Sequence, residues 1–224
     1  MSDTHKDLQQ ALEQFWSYMA RRQGGTVLVE ELKLNFWDDD HDTMERRRYR
    51  SDLHRATISE IEKQNGGWGD VSGIDLLLEA ITADYLHEDV LYECLETLKP
   101  ARRTILLERG LLSPLYHTRY LAAEHVAHYV IPHRTELMEF LICHDDHKLV
   151  SRYALNTLSD LHPAKAVEYA LPRLTDEDAY MRLASVLALQ AAGHSLPAEL
   201  VAALRTDSNE YVREAATELV VAKQ

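Results

Sequence analysis

Basic residues are scarce in this chain: 24 lysines and arginines stand against 37 aspartates and glutamates, for a formal charge of −13. Nucleic-acid binding draws on lysine and arginine displacing phosphate counterions, so this balance excludes a broad electrostatic grip on DNA or RNA and points to a basic partner. No stretch approaches the roughly eighteen apolar residues of a membrane span, and Met1 to Asp7 lack the apolar core of a secretory signal. A cytoplasmic protein without membrane contact is expected. Cysteine is nearly missing. Cys94 and Cys143 lie 49 residues apart with no paired metal-ligand spacing, and reduced, buried thiols are expected. Also absent are a phosphate-cradling glycine loop and any serine-histidine-aspartate or cysteine-histidine motif. No enzyme, cofactor or metal is expected.

What the chain does carry is a period. Pro100, Pro132, Pro163 and Pro197 follow one another at 32, 31 and 34 residues, and Asp145, Asp176 and Asp207 at 31 and 31. Spacing of this kind marks a repeat array, whose units bury their apolar faces only by stacking on neighbours. Setting Val150, Met181 and Val212 at a common origin, small or apolar residues recur at +3 or +4 and +8. They are Ala154 and Leu158, Ala184 and Leu189, then Ala215, Ala216 and Val220, one stripe of a helix. Looser units start from Thr118 and Val90, which extends the array back to about residue 72.

Each proline opens a first helix, where its missing amide hydrogen costs nothing, and a polar turn leads to a second. The expected pairs are 72–84 and 87–98, 100–110 and 115–130, 132–143 and 147–161, 163–173 and 178–192, and 197–205 and 208–222. Ser72, Asp176 and Ser208 fall at cap positions, and Pro172 should stop or kink its helix. Before residue 70 the period fades. Residues 4–22 read as an amphipathic helix through Leu8, Leu12, Phe15, Trp16 and Met19. Residues 27–36 fit helix or strand, with helix preferred. A long helix from Asp42 to Gln64 precedes a glycine-rich break at residues 65–69. The expectation is an all-α protein: a right-handed α-solenoid of about five stacked helical hairpins over residues 70–224, with an N-terminal helical cap over residues 1–69.

Asp176 to Arg182 and Asp207 to Arg213 share an aspartate, four residues, an aliphatic residue and an arginine, with small residues following on the same helix. This pattern resembles the signature of HEAT repeats, in particular the short bacterial form also found in phycobilisome-lyase-type proteins. The resemblance implies a hydrogen-bonded ladder between successive units, carried here by Asp176, Arg182, Asp207 and Arg213. The unit at Asp145 departs from it, with Ser151 at the arginine position and Arg152 one later.

Clusters with chemical potential have simpler readings. Cys143, His144, Asp145, Asp146 and His147 form the densest set of metal-ligand types, but they fall in an inter-helix turn where neighbours diverge, and a structural role is preferred. His125 and His128 share a helical face as core and flanking histidines. Asp38 to Asp42 reads as a solvated acidic turn, and Arg46 to Arg50 as a salt-bridged or solvated face rather than a nucleic-acid patch.

With helix steps of about 100°, offsets +2 and +6 point away from the packed stripe. They place outward Tyr92 and Glu96, Tyr120 and Glu124, Arg152 and Asn156, Leu183 and Leu187, and Glu214 and Glu218. Tyrosine beside carboxylate suits a basic protein surface; a solvated helix face is the equal alternative. The functional expectation is a non-catalytic binding scaffold, in its most specific form an immunity or antitoxin protein that neutralises a basic, nuclease-like bacterial toxin. A HEAT-like adaptor or assembly factor and a phycobilisome-lyase-like chromophore handler are the alternatives. A HEAT-like DNA glycosylase is disfavoured by the charge.

Overall fold

The computed structural model describes residues 5–24, 28–36, 43–67 and 70–222. Among the described residues thirteen α-helices account for nearly all of the regular structure, so the all-α class holds and the strand alternative within 28–36 falls away. Contacts divide the chain into two compact units, Met1–Ala122 and Ala123–Gln224. The boundary expected after residue 69 lies inside the first of them.

The amino-terminal unit contains α1 (Lys6–Arg22), α2 (Val29–Leu34), α3 (Met44–Gly66), α4 (Val71–Ala83), α5 (Asp89–Thr97) and α6 (Pro100–Leu111), and α7 (Tyr116–His125) begins in it. Leu8, Leu12, Phe15, Trp16 and Met19 recur every three or four residues of α1 and are all buried, which fixes its inner face against α3 and α4. Phe15, Trp16 and Phe36 meet edge to face at 5.0–6.0 Å, and Phe36 continues the cluster to Tyr85 at 5.7 Å. Helix α3 starts on the Thr43 side chain, which accepts from the Arg46 amide, and stops at Gly67, whose φ of 80° only glycine adopts without strain. Among residues 65–69, Trp68 and Gly69 lie outside the described residues, as do the acidic run from Asp38 to Asp42 and residues 25–27.

The carboxy-terminal unit follows from the end of α7 with α8 (Arg134–His144), α9 (Lys148–Leu161), α10 (Pro163–Ala170), α11 (Ala179–Ala191), α12 (Ala198–Leu204) and α13 (Glu210–Ala216). Each first helix packs on its own second helix, and the second helices α9, α11 and α13 lie side by side. Ala154, Ala184 and Ala216 are buried on that seam, where a methyl side chain lets backbones approach, and Leu158 and Leu189 are fully enclosed. This is the stacking of a helical solenoid. Pro100 and Pro163 occupy first turns as expected, and α10 ends before Pro172, where the chain tightens into a 3₁₀ turn.

Some details differ from expectation. The caps of α4, α11 and α13 are Asp70, Asp178 and Asn209 rather than Ser72, Asp176 and Ser208. Pro132 stands before α8 with His133, at φ 52°, between them, and Pro197 stands immediately before α12. Val220 is not on the packed stripe: α13 ends at Ala216, and Val220 is 51 % exposed. Strand β2 (Val220–Val221) pairs in parallel with β1 (Ser195–Leu196), and the Ala222 amide donates to the Leu196 carbonyl at 2.8 Å. Two consecutive β-branched valines favour this extended path, and the buried apolar residue here is Leu219. Of the two free cysteines, Cys94 is buried, its thiol pushed upward in pKa by desolvation, but Cys143 is exposed in the last turn of α8.

A buried polar knot ties α1, α3 and α4. The Glu60 carboxylate is fully buried, 2.9 Å from His5 Nδ1 and accepting from Gln64 Nε2 at 2.9 Å. Gly73 of α4 rests directly on this knot, and a Cβ there would collide with Glu60, Gln64 and His5. Gly73→Ala is therefore expected to destabilise the protein by about 1–3 kcal/mol, as overpacking a closed site does, read as a lower urea midpoint with an unchanged slope.

Candidate functional site

The turn before each second helix of the carboxy-terminal unit is built the same way three times. Asp145, Asp176 and Asp207 each turn their Oδ1 back to accept the backbone N–H two residues on, from His147, Asp178 and Asn209, at 2.9, 2.8 and 2.8 Å. This Asx turn sets the angle at which the second helix leaves. Arg182 then links neighbouring units. Its Nε and one Nη donate to the two carboxylate oxygens of Asp207 at 2.8 and 2.7 Å, and the other Nη donates to the Asp176 carbonyl at 2.8 Å. A planar guanidinium fits this two-point contact, and both groups are mostly shielded from water. Arg213 repeats the inner half of the pattern, donating to the carbonyls of Asp207 and Ser208.

At Asp145 the arginine position holds Ser151, whose hydroxyl donates to the Leu141 carbonyl. The link to the next unit is taken over by Lys148, which reaches Glu177 at 2.8 Å and Asp176 at 3.7 Å. Arg152 is released from the turn and places its guanidinium 5.1 Å from the centre of the Tyr180 ring.

These contacts orient an outward row on α9, α11 and α13. Arg152 and Leu183 are half-buried, while Asn156, Leu187 and Glu214 are exposed; Glu218, expected in the same row, lies beyond the end of α13 at Ala216 and is exposed there. Tyr180 and Tyr211, each 50 % exposed, belong to the same row. They occupy one position in successive repeats, immediately before Met181 and Val212, an offset of −1 that lies only about 20° around the helix from +6. Using +2 and +6 alone passed over them, although their 31-residue separation was visible in the sequence.

Residues 135–220 match the family model of HEAT repeats. That stretch of the carboxy-terminal unit is built of HEAT-like repeats. No curated protein and no solved structure matches the chain. HEAT repeats generally act as non-catalytic scaffolds for protein interaction.

Other candidate residues are placed as follows. In the amino-terminal unit Tyr92 and Glu96 of α5 are exposed. Tyr120 is not outward: it is 8 % exposed, its ring 6.0 Å from that of His117, which itself lies against Tyr85. Helix α7 is enclosed on several sides, with Thr118 held by the Leu78 carbonyl and the Thr82 hydroxyl, so its +2 direction meets protein. Glu124, in the carboxy-terminal unit, is exposed. In the basic block Arg50 faces Asp84 and Asp89, and Arg48 faces Asp52, a salt-bridged face, while Arg46 is buried. The rings of His125 and His128 are 6.5 Å apart, and burial holds the His125 pKa below its ordinary value. Among the described residues no group of three or more histidine, cysteine or acidic side chains is placed to hold a metal, and no helix is long and apolar enough to cross a membrane.

The hydrogen bonds from Arg182 hold the Asp207 carboxyl down to a pKa of about 2. A depressed carboxylate contributes stability that is present above its unfolded value and is lost as pH falls through the folded one. The stability advantage of the wild type over Asp207→Asn should therefore be full above about pH 4 and shrink toward pH 2. Urea unfolding across that range measures it, and a difference independent of pH would contradict the ionic link.

Proposed function

We propose that this HEAT-like protein is a non-catalytic scaffold that grips a basic protein through the outward row of α9, α11 and α13, and that its most specific role is that of an immunity or antitoxin protein neutralising a basic, nuclease-like bacterial toxin. The observation that carries the reading is the repeated half-exposed tyrosine, Tyr180 and Tyr211, beside exposed Leu187. Tyrosines of this kind are over-represented among residues that dominate binding energy, and an apolar neighbour adds desolvated area. Glu210, Glu214 and Glu218 border Tyr211 on the same stretch of chain, and carboxylates around an aromatic anchor complement lysine and arginine.

The overall charge of −13 supports the same sign of partner. Long-range attraction between oppositely charged proteins raises association rates, toward ~10⁸–10⁹ M⁻¹s⁻¹ in strongly steered pairs at low salt. Such speed serves an inhibitor that must reach a toxin before its target does. Exposed Glu124 in the same unit, and separately Tyr92 and Glu96 of α5 in the amino-terminal unit, are proposed as further contacts. Arg152 has a positioning role, holding Tyr180 from one side.

Affinity capture from the source organism with wild-type protein and with a Tyr180→Ala, Leu187→Asp variant tests the face. A basic protein retained by the wild type should bind the variant at least about tenfold more weakly, the loss expected when a central aromatic contact is removed. Glu214→Lys with Glu218→Lys should lower the association rate and flatten its salt dependence. Expressing the captured partner with and without this chain separates the roles. Growth arrest relieved by the chain supports immunity; a harmless partner leaves an adaptor. An acidic partner, or equal binding by all variants, overturns the proposed face.

A further inference from the structure

The amino-terminal unit has a cavity of about 650 Å³ that the scaffold reading does not use. Its apolar wall is formed by Leu12 and Trp16 of α1, Val29 of α2 and Leu76 of α4. Trp16 is held firmly, for its indole N–H donates to Glu79 Oε1 at 2.7 Å while its ring is packed edge to face against Phe15 and Phe36. A concave, mostly preformed space of this size with apolar walls and a few fixed polar groups is the ordinary form of a small-molecule site.

The polar lining selects the ligand's charge. Glu13, Glu30, Asp70, Asp75 and Glu79 line the cavity, against Lys33 and against His5, whose Nε2 lies 3.0 Å from Asp70. That lysine is already shared, lying 3.1 Å from Glu30 and 3.0 Å from Glu79. The carboxylates hold its pKa above the ordinary value despite partial burial, so it stays charged and bound to them. Asp75 is engaged by the fork of Arg109 at 2.6–2.9 Å, and Asp70 caps α4 through the Ser72 and Gly73 amides. Glu13 and Glu30 stand exposed at the rim, where Glu13 accepts a neutral amide, from Gln9. An anion entering would meet excess negative charge in a partly dehydrated space, where Coulomb terms are amplified. A cation with an apolar body would find carboxylates at the rim and hydrocarbon with an indole behind.

The geometry points to a binding site for a small organic cation, an ammonium or amidinium group carried on an apolar or aromatic body, between α1, α2 and α4. This site is independent of the row on α9, α11 and α13 and of the partner proposed for it. The charged head sits among Glu13, Glu30 and Glu79, and the body lies against half-buried Val29 and Leu76, with the enclosed Trp16 behind them.

Benzamidine and benzoate, similar in shape and opposite in charge, form the matched probes. Isothermal titration of the full chain should show saturable benzamidine binding with Kd at or below about 1 mM, weakened by added salt, and at least tenfold weaker binding of benzoate. Glu13→Lys with Glu30→Lys alters only exposed rim residues and should reduce benzamidine affinity at least tenfold. Val29→Trp should block the cavity without reversing its charge. Circular dichroism melting checks that both variants fold, and Glu199→Lys in the carboxy-terminal unit, also exposed, should bind as the wild type does. Equal binding of the two probes, no saturation by 10 mM benzamidine on the order of tenfold above the expected Kd, or unchanged affinity in the folded rim variant would overturn the site. An arginine-containing peptide that binds at least tenfold tighter than benzamidine would overturn the small-molecule assignment, moving the occupant to a protein partner.

Discussion

One aspartate per 31 residues governs the geometry of the carboxy-terminal unit. By accepting the amide two residues on, Asp145, Asp176 and Asp207 fix the turn that launches each second helix, and Asp207 also receives the guanidinium of the preceding unit. A single side chain thus satisfies local backbone and sets the distance to a neighbour. Buried alanines on α9, α11 and α13 then let the helices close up. Without the turn the alanine seam would have no fixed register, and without the seam the Arg182 link would be an exposed pair of little worth. The repeated row of side chains on the outer surface exists because this inner arrangement recurs.

Much of this was legible because it is periodic. The aspartates, the alanines and the prolines recur at intervals of 30–34 residues, and most helix limits followed within a few residues, except that α7 ends at His125 rather than 130 and α13 at Ala216 rather than 222. The parts that escaped are set by non-repeating context. Tyr120 has the same offset as outward residues elsewhere, but aromatic neighbours contributed by distant segments close over α7. Val220 continues the apolar spacing on paper, yet its backbone finds a partner in Leu196, and a helix pattern carries no record of that competing pairing. Tyr180 and Tyr211 were in plain view but required a third offset on the wheel. The amino-terminal cavity was not foreseeable at all, since its walls come from three helices brought together by packing rather than by any motif.

The chain separates two kinds of polar investment. In the amino-terminal unit, ionisable groups are drawn inward: Glu60 is fully enclosed with His5 and Gln64, and Asp84 is buried beside Arg50 and the Val90 amide, with desolvation raising its pKa. Buried networks of this sort reward unique geometry and punish any unmet member. In the carboxy-terminal unit the Lys148 and Arg182 contacts lie at the turns between repeats and the Lys165–Glu139 pair joins two first helices, while the seam is mainly apolar, crossed by a hydrogen bond from Gln190 to the Ala215 carbonyl. The first pattern suits a body with a shaped interior; the second suits a surface that must recur with fixed spacing.

The substitution of serine for arginine at position 151 has an effect on Tyr180. Because Ser151 is content with the Leu141 carbonyl, the guanidinium one residue later lies free of the turn and settles over the tyrosine ring. An exposed tyrosine ordinarily samples several rotamers and forfeits that freedom on docking, whereas a ring already braced from one side has less disorder left to surrender. The irregular repeat thereby hands its neighbour a rigid contact, shifting part of the entropic loss of complex formation into the folding of the free protein.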